Sequence, residues 1–249
     1  MSLILDACVA QHQGDRREQQ DRVALVPHPR QPQVALAVLA DGMGGHTGGA
    51  QAAEQVIVTA TNDLQAYAPR EETPENLLAE IIRESHLLIR TGRLLNEQDP
   101  HSTVVLLLLQ GRQATWAHCG DSRLYHFRGE ALLCRSRDHS YVQHLVDQGK
   151  ITPTQALSHP NRNVLLTSLG DREEPRVDWG HGEVQPGDCF LLCSDGLWAY
   201  FSEEELGRIL AANSAREGAA ILIDLARQRC RGKGDNCSLA VLRLEAGKA

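Results

Sequence analysis

The chain has 249 residues, 42% of them hydrophobic, with 25 Lys and Arg against 32 Asp and Glu, a formal net charge of -7 and a pI near 5.9. Its length fits one large domain or two small ones with enough apolar residues for a substantial core, and a single domain over residues 1-249 is the expectation. The acidic balance argues against a nucleic-acid binder, which needs clustered Lys and Arg, and the seven cysteines form no Cys-x-x-Cys, so reduced thiols in a cytoplasmic protein are expected.

In chain order, the first stretch, MSLILDACVAQHQGDRR, is interrupted by Asp6 and lacks a preceding basic segment, so it does not read as a secretory signal. Val34 to Ala40 is a short apolar run that ends on Asp41-Gly42 and reads as a buried strand closed by a turn. Thr47 to Tyr67 has helical spacing at Ala53, Val56, Ile57, Ala60 and Leu64. In Glu75 to Leu95 the spacing puts Leu77, Leu78, Ile81, Ile82, Leu88 and Ile89 on one face, with Glu80, Arg83 and Glu84 opposite, as in a helix packed on a sheet.

Four strands follow: TVVLLLLQ, ATWAHC, LYHF and ALLCR, the last two joined at Arg128-Gly129 as a hairpin. The Leu106 to Leu109 run is too short to span a bilayer, so no membrane partner is expected. Between residues 140 and 168 a short helix pattern (Tyr141, Leu145, Val146), a Thr152-Pro153 helix start and the His159-Pro160 breaker predict an irregular insertion, more mobile than the sheets. CFLLCS leads into Asp195-Gly196. Ser202 with Glu205 and Ser214 with Glu217 have capping-box spacing and open two helices before the strand CSLAVLRL.

Four carboxylates thus stand at strand ends: Asp41, Asp121, Asp195 and Asp235. One Asp-Gly pair is an ordinary turn. Four converging on one end of a shared core would repel one another unless a cation sits among them, and oxygen-only donors suit a hard ion, Mg²⁺ or Mn²⁺. His118, His126 and His139 show no shared metal-ligand spacing. The glycine-rich run from Gly42 to Gly49 lacks the Lys-Ser/Thr ending of a nucleotide-phosphate loop and follows an acidic residue, which weighs against nucleotide binding.

Gly14-x-Arg16 with Asp21 five residues on, then Asp41-Gly-Met-Gly-Gly-His-x-Gly-Gly, Gly120-Asp121-Ser122-Arg123, Ser194-Asp195-Gly196-Leu197-Trp198 and Gly234-Asp235-Asn236 occur in that order. Taken together they resemble the metal-dependent protein phosphatases of type 2C, in their bacterial branch, from about Val9 to Leu244. The resemblance implies an α+β fold, a four-layer α/β/β/α sandwich, with a flap-like insertion at about 140-168. It implies a protein serine/threonine phosphatase in which two Mg²⁺ or Mn²⁺ ions activate a water, with a third ion at a further site.

By the same resemblance Asp41 would bridge two ions, the Gly42 carbonyl would complete the first site, and Asp195 and Asp235 the second. Asp21 would hold an ion through water, Asp121 with Asp195 would form the third site, and Arg16 would grip the substrate phosphate. Phosphorylated proteins and a cognate Ser/Thr kinase would be its partners, with the chain a monomer. The sequence departs from family patterns at Met43, where animal relatives have His, and at Gln20, where Glu is frequent; His46 or a water would then donate the proton. Two alternatives stay open: a non-catalytic phosphoprotein-binding module on the same fold, and a phosphatase for small phosphate esters.

Overall fold

The computed structural model describes residues 3-45, 48-95 and 99-247. One sheet holds β1 (Leu3–His12), β11 (Cys237–Ala246), β10 (Asp188–Cys193), β7 (Arg123–Arg128) and β8 (Ala131–Arg135) in that spatial order. The second holds β2 (Asp21–Pro27), β3 (Val34–Met43), β5 (Val104–Gln110), β6 (Gln113–Cys119) and β9 (Asp178–Glu183), with the two-residue β4 (His101–Ser102) paired to the end of β3. Every pairing among the described strands is antiparallel.

Alternation along the central strands builds three cores from two sheets. Leu39 and Ala37 of β3, Val105 and Leu107 of β5, Phe190 and Leu192 of β10, and Ala240 and Leu242 of β11 meet between the sheets. Their sequence neighbours point outward. Leu36, Val38, Leu106 and Leu108 pack under α1 (Gly48–Ala66) and α2 (Pro74–Leu95), while Leu191, Cys193, Leu239 and Val241 pack under α6 (Glu203–Ala212) and α7 (Ala215–Arg229). Strands buried on both faces must be apolar through their middles, as these are, and the result is a four-layer α/β/β/α sandwich.

The helices follow local signals with one exception. Ser202 and Ser214 cap α6 and α7 through the Glu205 and Glu217 amides, and Ser214 with Glu217 completes a reciprocal capping box. On α2 the buried stripe runs from Leu78 and Ile82 through Ser85 and His86 to Ile89, whereas Leu88, expected on the inner face, is 42% exposed. At a 3.6-residue period Leu88 lies a step off the stripe, and two polar side chains take its place inside. Sequence periodicity also did not reveal β1, β2 and β9, where partly exposed edge positions blur the apolar pattern.

Between residues 140 and 168 the chain leaves the sandwich and returns. Ser140 and Leu165 form a bridge at the base, and α3 (Tyr141–Asp147), capped by Ser140, and α4 (Pro153–Leu157), capped by Thr152, lie outside it. Tyr141 N–H donates to the Val164 carbonyl at 2.8 Å and Leu166 N–H to the His139 carbonyl at 2.8 Å, closing the neck.

Candidate metal centre and phosphate site

Strand register alone brings the aspartates to one end of the sandwich. Asp21 opens β2 directly opposite Asp41 near the close of β3. Val104 pairs with Cys119, so β6 ends at that same edge and Gly120-Asp121 follows. In the other sheet Cys193 pairs with both Arg123 and Leu239, which sets Asp195, just past β10, near Asp235, just before β11. Asp41, Asp121, Asp195 and Asp235 line one open cleft of about 650 Å³ together with Arg16, Gln20, Gly42 and Met43.

The expected turn at Asp41-Gly42 is instead continuous strand, since β3 runs on to Met43. Gly42 is required there by space. A Cβ at Gly42 would stand 1.9 Å from the Gly49 carbonyl oxygen, so only glycine lets the start of α1 press against the strand. At Gly120 a φ of +107° and a would-be Cβ contact of 2.6 Å with Thr103 make the same demand.

Neutral groups fix the acidic residues, through side chain or backbone. Ser194 Oγ donates to Asp21 at 2.7 Å, and Thr103 Oγ1 accepts the Asp41 amide at 3.0 Å. The indole N–H of Trp198, at the end of the short α5 (Asp195–Trp198), donates to the Asp121 carbonyl at 3.0 Å. Asn236, 5% exposed, ties the Arg16 loop down: its amide donates to the carbonyls of Gln13 (2.7 Å) and Glu18 (2.9 Å) and its oxygen accepts the Gln20 amide (2.7 Å). Asp15 forks onto Arg227 and accepts the Gly234 amide at 2.7 Å, and these bonds hold its carboxyl far below the usual range. Neither Asn236 nor Asp15 stood out in the sequence beyond its place in a motif, because each acts on residues more than two hundred positions away.

Burial raises Asp21 to about 6 and Asp121 to about 7, the latter helped by Asp138. Burial and then mutual repulsion push Asp41 and Asp195 well above the carboxylate range. Carboxylates crowded out of water in this way are stable as anions only beside positive charge. Arg16 supplies part of it: its guanidinium meets Asp235 at 2.5 Å, which raises the Arg16 pKa. An all-oxygen set with surplus negative charge fits hard divalent ions.

Two histidines that share no spacing do meet in space. His118 and His139 stack at 4.8 Å, and their ring nitrogens with an Asp178 oxygen lie within 4.8 Å of one another. His139 Nδ1 accepts the Gly120 amide at 3.2 Å, so Nε2 carries the proton toward Asp178 at 3.3 Å and has no lone pair for an ion. Burial lowers the pKa of both histidines, and the stacked rings, with His118 Nε2 2.9 Å from the Arg137 carbonyl oxygen, pack the neck of the insertion against β6 beside Asp178 of β9. His101, opposite Met43 in register, is held by Asp99 at 3.2 Å and Asp171 at 3.3 Å and does not line the acidic cleft. His46 lies outside the described residues.

A family profile described as Protein phosphatase 2C matches residues 10–222. The chain belongs to the protein phosphatase 2C family. It is 36% identical over 214 residues to the serine/threonine protein phosphatase PstP of Mycobacterium tuberculosis, a match covering 83% of this chain and 40% of that protein's length. It is 33% identical over 181 residues to the protein phosphatase PhpP of Streptococcus pneumoniae, covering 72% of this chain and 73% of that one. The solved catalytic domain of PstP in complex with two manganese ions superposes with a TM-score of 0.83 at 30% identity, covering 98% of this chain and all of that one. The family's four-layer sandwich is thus the fold found here, with the acidic cleft between the ends of its two sheets.

Proposed function

We propose that this chain is a divalent-metal-dependent protein phosphatase that removes phosphate from phosphoserine and phosphothreonine in proteins. The observation that carries the reading is the acidic cleft: aspartates from both sheets share it with Arg16 and Arg17, and their anionic forms require further positive charge. Asp41, the Gly42 carbonyl, Asp195 and Asp235 would hold two ions, Mg²⁺ or Mn²⁺, with Asp21 acting through water and Asp121 with Asp195 holding a third. When bound, such ions lower the pKa of a shared water and polarise the phosphoryl group.

This chain's own residues supply binding and orientation. Arg16 presents a planar fork of donors to phosphate oxygens from a loop that Asn236 and Asp15 hold at the cleft mouth. Ser194 holds the Asp21 carboxylate, and Thr103 holds the backbone that carries Asp41. A single domain over 1-249 with a flap at about 140-168 bordering the cleft, a cytoplasmic monomer and an opposing Ser/Thr kinase complete the reading. No helix among the described residues is long and apolar enough to cross a membrane.

With Mn²⁺ the purified chain should hydrolyse a phosphothreonine peptide and p-nitrophenyl phosphate, and Asp195→Asn should lower kcat by roughly 10²-fold or more. Full turnover in the presence of a chelator would sink the metal-dependent reading. Phosphopeptide binding without phosphate release would make the chain a binding module, and faster turnover of nucleotides than of phosphopeptides would make it a small-ester phosphatase.

A further inference from the structure

A second groove, of about 550 Å³, runs between the insertion and the turn that follows Asp195, and Asp121, Asn163 and Asp195 belong to both it and the acidic cleft. An apolar set lines it away from the cleft, Val142 and Val146 of α3 and Leu157 of α4 with Trp198 and Phe201, interspersed with the uncharged polar Gln143, Thr154 and Ser202. Leu157 is 53% exposed, a large apolar side chain left against open space. Two cations of the groove are matched by their own carboxylates. Arg123 forks onto Asp138 with two bonds of 2.7 Å and lies 3.5 Å over the Trp198 ring, and Arg135 meets Glu203 at 3.2 Å. The third, Arg162, adjoins Asn163 and so stands at the junction with the cleft.

We propose that this groove seats the stretch of the phosphoprotein beside the phosphoresidue and selects an apolar or aromatic side chain there. The proposal rests on the phosphatase reading of the acidic cleft. Continuity argues for this occupant, because a chain whose phosphate lies among the aspartates meets the groove as the open path away from Asp121 and Asp195. The walls then decide its chemistry. With Arg123 and Arg135 matched by Asp138 and Glu203 and Arg162 set at the junction with the cleft, the stretch along Val142, Val146, Leu157 and Phe201 offers an incoming side chain removal from water rather than an opposite charge. Trp198 links the two places, since the ring that forms the groove wall also donates to the Asp121 carbonyl.

Two phosphothreonine peptides, one with Leu and one with Asp at the two positions on either side of the phosphoresidue, test this together with p-nitrophenyl phosphate, which has no flanks. The Leu peptide should be preferred in kcat/KM by at least about tenfold. Leu157→Asp should bring that ratio to within about threefold of one, and Leu157→Ser should move it the same way. Val58→Asp, on an exposed apolar residue of α1 that lines neither opening, should leave the ratio as it was. Equal rates on the two peptides, or a ratio that survives both Leu157 changes, would overturn the groove while p-nitrophenyl phosphate turnover keeps the phosphatase reading. No turnover of any of the three with Mn²⁺ would remove the phosphatase reading and the groove with it.

Discussion

Asn236 shows how an uncharged side chain can govern a charged site. It holds three backbone groups of the loop that carries Arg16, at 2.7–2.9 Å, and is buried. Asn236→Ala would leave those groups unpaired, which costs about 1–3 kcal/mol. Urea unfolding should register that loss, and the KM for a phosphothreonine peptide should rise severalfold while the ion requirement persists. An unaltered KM would mean that the loop does not need this clamp. Asp41, Asp121, Asp195 and Asp235 were legible in sequence because each sits beside glycine at the end of an apolar run; Asn236 was not, because its partners are joined to it only by folding.

At the scale of elements, β3 and α1 approach so closely that their backbones touch at Gly42 and Gly49. Gly42→Ala places a methyl inside that contact and should destabilise the fold by about 1–3 kcal/mol or more, read as a lowered Tm, because backbone on both sides cannot yield. A Tm unchanged within a degree would contradict the close packing. The insertion is the opposite case. Its neck is bonded at Ser140, Tyr141 and Leu166, but α4 buries none of its residues, so amides of residues 148–163 should exchange with deuterium faster than those of β3 and β5. Equal protection would count against a mobile flap. Its helices were legible from the spacing of Tyr141, Leu145 and Val146 and from Thr152-Pro153, whereas the Ser140 cap and the Ser140 to Leu165 bridge that defines its base, between residues 25 apart, were not.

Across the whole molecule, the acidic cleft couples stability to pH and, on the proposed reading, to divalent ions. Asp21 and Asp121, raised to about 6 and about 7, bind protons in the folded state at pH values where the unfolded chain has released them. For these groups the folded state is favoured at low pH, and that advantage is lost as pH rises from about 4 through 7. His86, His118, His126 and His139, lowered by burial, work in the other direction below their ordinary value. On the proposed reading, ions held by the aspartates would leave the histidines untouched, so the gain in Tm on adding Mn²⁺ would isolate the carboxylates. It should grow from pH 5.5 to pH 8 as protons cease to compete. A gain that is flat or shrinks over this range would place the ions elsewhere.

The sequence by itself determined the layers and the chemistry at the strand ends. Apolar runs at Val34 to Ala40, Val104 to Leu109 and Cys189 to Cys193 can be buried only on both faces, and glycine beside aspartate marks the edge of the apolar run where the site lies, even where, as at Asp41-Gly42, the strand itself runs on. Tertiary structure alone decided which distant residues face one another: Asp21 across from Asp41, His118 stacked on His139, Asn236 across the Arg16 loop, and α4 above Trp198. The reason is that periodicity and turn chemistry act over a few residues, whereas register is fixed by how two sheets and four long helices fill a common interior, and no local pattern carries that information.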